Sequence, residues 1–151
     1  MIKLKNIFAV ILPILLLSGC DDGSTESSSS MNIFIAADQT AFTAGEAVEV
    51  TVTAENPTTL PIEFGSGSSN CQLSAVIRID NQDHSMPSSR PCLADYVVQS
   101  LGPGEHRVES WIWYGEILVE GELEHLPTGS YEIRGVAGAY KSHPLNVEIL
   151  D

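Results

Sequence analysis

Apolar and polar side chains alternate through most of the chain after residue 30, with the period of a strand. Val48, Val50, Val52 and Ala54 point one way while Glu49, Thr51, Thr53 and Glu55 point the other. That is the mark of a strand with one buried and one wet face. Leu73, Ala75, Ile77 and Ile79 repeat it over Cys71–Asp80, as do Ile33 and Ile35 over Met31–Ala36 and Leu145, Val147 and Ile149 near the end. Leu60–Phe64 and Tyr96–Leu101 predict two shorter strands, and Gly65–Asn70 predicts a loop. Asn56-Pro57-Thr58-Thr59, Asn81-Gln82-Asp83 and Gly102-Pro103-Gly104-Glu105 predict turns. Arg107–Tyr114 has an ambiguous register, because Val108 and Ile112 share one face while Trp111 and Trp113 share the other. The pattern there requires a bulge or a tryptophan left at the surface. Nothing after residue 30 has helical periodicity, so the pattern predicts an all-β domain.

Ahead of that domain the pattern changes twice. Lys3 and Lys5 precede the apolar run Ile7–Leu17, and small residues follow it, as in a secretory signal peptide. The run is too short to span about 30 Å of hydrocarbon, and Pro13 interrupts it. Leu17-Ser18-Gly19-Cys20 resembles the lipobox of bacterial lipoproteins. The resemblance implies that residues 1–19 are removed and that Cys20 is acylated, by palmitate among others, as the new N-terminus. Several acyl chains hold a protein on a membrane essentially permanently. Residues 20–30 then form a Ser-rich flexible linker, whose ten residues after the cysteine reach roughly 17 Å. By analogy with enterobacterial lipoproteins, Asp21 and Asp22 imply retention at the inner membrane, on its periplasmic face. Residues 31–151 are left as one domain of ordinary size.

Of the three cysteines, lipidation of Cys20 leaves Cys71 and Cys92, an even pair for an oxidising compartment. A bridge between them closes a loop of about 20 residues and is worth roughly 3 kcal/mol. Losing Met1–Gly19 removes Lys3 and Lys5 but no acid, so five basic side chains face 20 acidic ones and the net charge moves from −13 to −15. That balance argues against nucleic acid as a partner.

Leu126-Pro127-Thr128-Gly129-Ser130-Tyr131 leads into a strand, and Tyr131 matches the tyrosine corner of immunoglobulin-like sandwiches. The predicted fold is an immunoglobulin-like antiparallel β-sandwich. Val50-Thr51-Val52-Thr53-Ala54-Glu55-Asn56-Pro57 and Pro61-Ile62-Glu63-Phe64-Gly65-Ser66-Gly67 resemble the intracellular proteinase inhibitor (BsuPI-like) domain. So do Leu101-Gly102-Pro103-Gly104-Glu105 with Trp113, and Leu126–Tyr131. The resemblance covers most of residues 45–137 and implies the same sandwich, with inhibition of a serine proteinase as the founding activity. Export and the cysteine pair set this chain apart from that founder.

Enzyme signatures are missing. Gly65–Ser69 lacks a nucleophile elbow, and there is no zinc-protease, phosphate-loop or dinucleotide motif, so neither catalysis nor a cofactor is expected. His84, His106, His125 and His143 stand singly. His84 with Met86 is a thin copper pair, and no metal is assigned. Glu116, Glu120, Glu122 and Glu124 read as a solvated edge rather than a calcium loop, the last three sharing one face. His84–Pro91, pinned by Cys92, is the candidate partner loop, with Met86 and Arg90 each preceding a proline. The sequence therefore predicts a lipid-anchored module that binds an envelope protein non-covalently, or alternatively a BsuPI-type proteinase inhibitor acting through that loop.

Overall fold

The structure, a computed structural model, describes residues 30–89 and 91–151. Residues 1–29, which hold the expected signal peptide, Cys20, Asp21, Asp22 and nearly all of the expected linker, lie outside the described residues, as does Arg90. Thirteen strands and no helix make up the described residues.

One layer has the order β1-β3-β8, formed by Asn32–Ala37, Val48–Glu55 and His106–Trp113. The facing layer runs β2-β13-β11-β5-β6. Its strands are Ala41–Thr43, Leu145–Leu150, Gly129–Ala137, Ser74–Ile79 and Gln82–Ser85, and the short β12 (Tyr140–Lys141) also pairs with β11. Ile62–Ser66 (β4) pairs with Val97–Leu101 (β7), and Glu116–Val119 (β9) pairs with Glu122–His125 (β10). The fold is an immunoglobulin-like β-sandwich. All the pairings are antiparallel except β2 with β13, which is parallel.

The alternation in β3 is borne out: Val48, Val50, Val52 and Ala54 are fully buried. Ile133 of β11, also fully buried, and Ile77 of β5 lie in the same core. The layers approach closely at Gly135, where a Cβ would meet Val52 at 2.9 Å and Ile33 at 3.2 Å. Any larger residue there would have to push the sheets apart. At the corner before β11 the Tyr131 hydroxyl donates to the Pro127 carbonyl at 2.8 Å.

Four expectations need correction. In β8 neither a bulge nor a surface tryptophan occurs. The register with β3 is continuous, Val48 opposite Trp113 and Val50 opposite Trp111, and both indoles are buried while Val108 is 52% exposed. Burying two indoles removes far more apolar surface from water than burying a valine and an isoleucine. Gly65 and Ser66 belong to β4, opposite Val98 and Val97, rather than to a loop. The turn after β5 is Asp80-Asn81, both at positive φ (49° and 64°), so Gln82 and Asp83 already belong to a strand. Finally, Glu120 shares no strand face with Glu122 and Glu124. With Gly121 it makes a positive-φ turn (51° and 92°) that folds β9 and β10 into a hairpin.

At the end of β3, Asn56 is fully buried and fully bonded. Its side-chain amide donates to the carbonyls of Leu60 and Leu101 at 2.8 and 2.9 Å. Its side-chain oxygen accepts from the Thr58 amide and hydroxyl at 2.9 and 2.7 Å. The turn Asn56–Thr59 is thereby tied to the end of β7.

Candidate functional site

Cys71 and Cys92 are joined, with Cα atoms 5.5 Å apart, and the bridge straps the segment after β6 to the segment before β5. Serine and asparagine side chains reinforce it. Asn70 donates to the Pro91 carbonyl and accepts from the Leu93 amide, both at 2.9 Å. The Ser69 amide donates to Asp95 at 2.9 Å, which holds the Asp95 carboxyl below the usual carboxylate range. Ser66 and Ser68 are buried, and the Ser66 hydroxyl donates to the Ser68 carbonyl at 2.6 Å. A serine-rich stretch that reads as solvent loop is thus closed on itself by its own hydroxyls.

Across the strap lies the candidate loop. Of its residues His84 and Ser85 belong to β6, and the next, Met86, donates its amide to the Ala75 carbonyl at 3.0 Å and keeps only 6% exposure. Met86 is thus mostly covered by its own fold, and its thioether fills the core edge at the base of the loop. The loop's far side is held where the Ile112 amide donates to the Ser89 hydroxyl at 3.2 Å. That leaves Pro87–Ser89 as its described outward part.

Between strap, loop and sheet is a pocket of about 360 Å³, lined chiefly by Leu73, Ala75, Met86, Pro87, Trp111 and Leu118 beside the disulfide. Trp111 is 5% exposed, and its indole nitrogen has no hydrogen-bond partner. Two residues on, the Trp113 indole donates to the Glu116 carbonyl at 2.8 Å and its ring packs edge-on against Phe42, 5.4 Å between centroids. Arg134 Nε is also buried without a partner, but that guanidinium reaches Glu132 through Nη2 at 3.3 Å.

The β9–β10 hairpin borders the same loop. Leu118 and Leu123 stand directly opposite each other and are 48% and 57% exposed. Leu123 and the half-exposed Tyr114 line a shallow depression with Pro87, Ser88 and Ser89. By strand alternation Glu116 and His125 flank this pair on its own face, 3.4 Å apart, with Glu120 at the turn, while Glu122 and Glu124 take the other face of the hairpin. The surface has an apolar centre and a charged rim, the anatomy of a protein interface. Sequence reading missed Leu118, Leu123 and the role of Trp111. The signal for the first two was Leu-Val-Glu-Gly-Glu-Leu, a Glu-Gly turn between matched apolar positions. Among the described residues no three His, Cys, Asp or Glu side chains gather in a group that could hold a metal ion.

No protein-family model matches the chain, and no curated protein sequence does either. Among solved structures, an alkylpurine DNA glycosylase of Pseudomonas fluorescens, bound to DNA containing an abasic site analog, aligns with a TM-score of 0.51 and 14% identity. The alignment covers 83% of this chain and 32% of that one. A β-glucosidase from Erythrobacter marinus aligns at 0.49 and 14% identity, over 80% of this chain and 15% of the enzyme. The CARDB domain of a Pyrococcus furiosus protein, in complex with di-metal ions, aligns at 0.44 and 14% identity, over 80% and 92% of the two chains. The chain spans only 15% to 16% of the length of the β-glucosidases it resembles. The likeness to the glycosylase shows the sandwich fold alone, and the other two are too distant to carry an argument.

Proposed function

We propose that the protein is a lipid-anchored binding module of the bacterial cell envelope, which holds a protein partner non-covalently and has no chemistry of its own. Leu17–Cys20, the polar linker and the disulfide support export and anchoring. Binding is carried by one observation: the exposed Leu118–Leu123 pair beside Pro87–Ser89, bordered by Glu116 on its own face and Glu120 at the turn. Such a surface suits a partner with an apolar patch bordered by lysine or arginine, because opposite rims steer encounter and fix orientation.

Affinity capture from native membranes tests it. The full chain should enrich a specific protein, and a Leu118→Glu/Leu123→Glu variant should lose it, with weaker capture at high salt. No specific protein on the wild-type chain, or equal capture by the variant, rejects the reading. Anchoring is tested separately by mass spectrometry of Cys20. An unmodified full-length product in the soluble fraction would refute it.

BsuPI-type inhibition stands second. It draws on the sequence resemblance and on the tethered, proline-flanked loop, but burial of Met86 removes the side chain best suited to enter a proteinase subsite. Absence of inhibition across a panel of serine proteinases at micromolar concentration would exclude it.

A further inference from the structure

We infer that the free edge of β1 receives an extended acidic peptide, which adds a strand to the smaller layer and sets its carboxylates against Arg134, Lys141 and His143. This surface is separate from the Leu118–Leu123 ridge and goes beyond the binding reading above. β1 ends the order β1-β3-β8. One side of it is spent on β3, and the Asp38 amide carries that ladder one step further, donating to the Glu49 carbonyl at 3.1 Å. Hydrogen-bonded and non-bonded pairs alternate along an antiparallel ladder. Counting back in twos from Asp38, Ala36, Phe34 and Asn32 exchange bonds with β3, so the amides and carbonyls of Ile33 and Ile35 turn the other way. Among the described residues no main-chain partner meets them there. An unpaired row of N–H and C=O groups is a template for another strand. Of the other strands that end the two main layers, β2 is three residues long, β6 carries Asp83, and β8 carries Arg107 and Glu109. β1 has six residues and neither charge nor proline.

A groove of about 730 Å³ runs beside that edge. Its first wall is Met31–Ile35, five residues in a row. Successive side chains of a strand point to opposite faces, so a hollow touched by all five follows the edge rather than covering a face. Its second wall is Lys141–Leu145. That wall offers no ladder of its own, because the Ser142 amide is spent on the Gly135 carbonyl at 2.9 Å and Pro144 has no N–H. It supplies charge instead. Arg134, Lys141 and His143 line the groove and no acid does, in a chain with 20 acidic and 7 basic residues. Lys141 pairs with Asp83 at 2.7 Å and Arg134 with Glu132 at 3.3 Å, yet their side chains keep 46% and 25% exposure. The ladder therefore supplies affinity, and the cations select the strand and fix how it lies. Phe34, half-exposed on the same wall, gives alternate peptide side chains an apolar contact.

The test uses the full ¹⁵N-labelled chain in lipid nanodiscs, with amide hydrogen exchange resolved residue by residue. The probe is acetyl-Val-Glu-Val-Glu-Val-Thr-amide, set against a counterpart with lysine in place of both glutamates. In the free chain the Phe34 and Ala36 amides should exchange slowly and those of Ile33 and Ile35 fast. The acidic probe should bind saturably and slow Ile33 and Ile35. The lysine counterpart, and the acidic probe on a Lys141→Glu/His143→Glu variant, should each bind about tenfold more weakly. No protection of Ile33 and Ile35 up to the probe's solubility limit sinks the inference. So does an edge already slow in the free chain, which would assign it to a second copy or to the preceding segment of the same chain. Equal binding of the lysine counterpart overturns the part given to the cations. Should the variant fail to fold, the two probes on the wild-type chain decide alone. Leu118→Glu/Leu123→Glu alters a surface that shares no lining residue with the groove and should bind the probe as the wild type does, so failure of either surface is read apart from the other.

Discussion

Asn56 stands in the turn just past β3 and Trp111 within β8, the strand paired with β3, and each places a polar group in the dry interior. Around Asn56 every polar atom of the side chain is bonded, to Leu60, Leu101 and Thr58. Around Trp111 the only polar atom of the side chain is buried and unbonded. A closed network spends its polar groups on one backbone arrangement. The indole is held by packing alone. The difference separates a corner fixed by hydrogen bonds from a stretch of strand fixed by apolar contact.

The largest expected effect falls on the closed side. Asn56→Ala leaves the Leu60 and Leu101 carbonyls and the Thr58 amide unpaired, and should lower unfolding free energy by about 4 kcal/mol in denaturant titration. A loss below about 1 kcal/mol would show that Asn56 is not what holds the corner. Next comes the strap. Cys71→Ser/Cys92→Ser should cost about 3 kcal/mol and, in hydrogen exchange, speed the amides of 68–93 while the Asn56 corner stays protected. Uniform acceleration would erase the distinction between the two regions. Smallest is Trp111→Phe. It removes a donor that bonds to nothing, so stability should change by less than about 1 kcal/mol, the lost packing offset by relief of desolvation. A loss as large as that of Asn56→Ala would mean that the indole N–H is satisfied within the fold.

Much of the sandwich was legible because its strands announce themselves locally. β3, β5 and β13 alternate cleanly, and Tyr131 marks the entry to β11. The register of β8 was not, since both of its faces are apolar and only the opposing layer decides which is buried. The hairpin of β9 and β10 was read as a charged edge because glutamates dominate its composition, while the two leucines that matter pair across a turn set by Glu120 and Gly121. Cys71 and Cys92 followed from counting. The seat of the candidate site did not: a buried Met86 and an unpaired indole are facts of packing among residues far apart in sequence. The serine stretch 66–71 misled for a related reason, since hydroxyls that bond back to their own backbone look like those that bond to water.

The parallel pairing of β2 with β13 governs the timing of folding. Ala41 lies opposite Glu148, a separation of 107 residues, and β13 is wedged between β2 and β11. The larger layer therefore cannot be completed until synthesis has passed residue 148, and pairing across so long a span is slow. Until then β2 lacks the neighbour it pairs with, so one edge of that layer waits on β13.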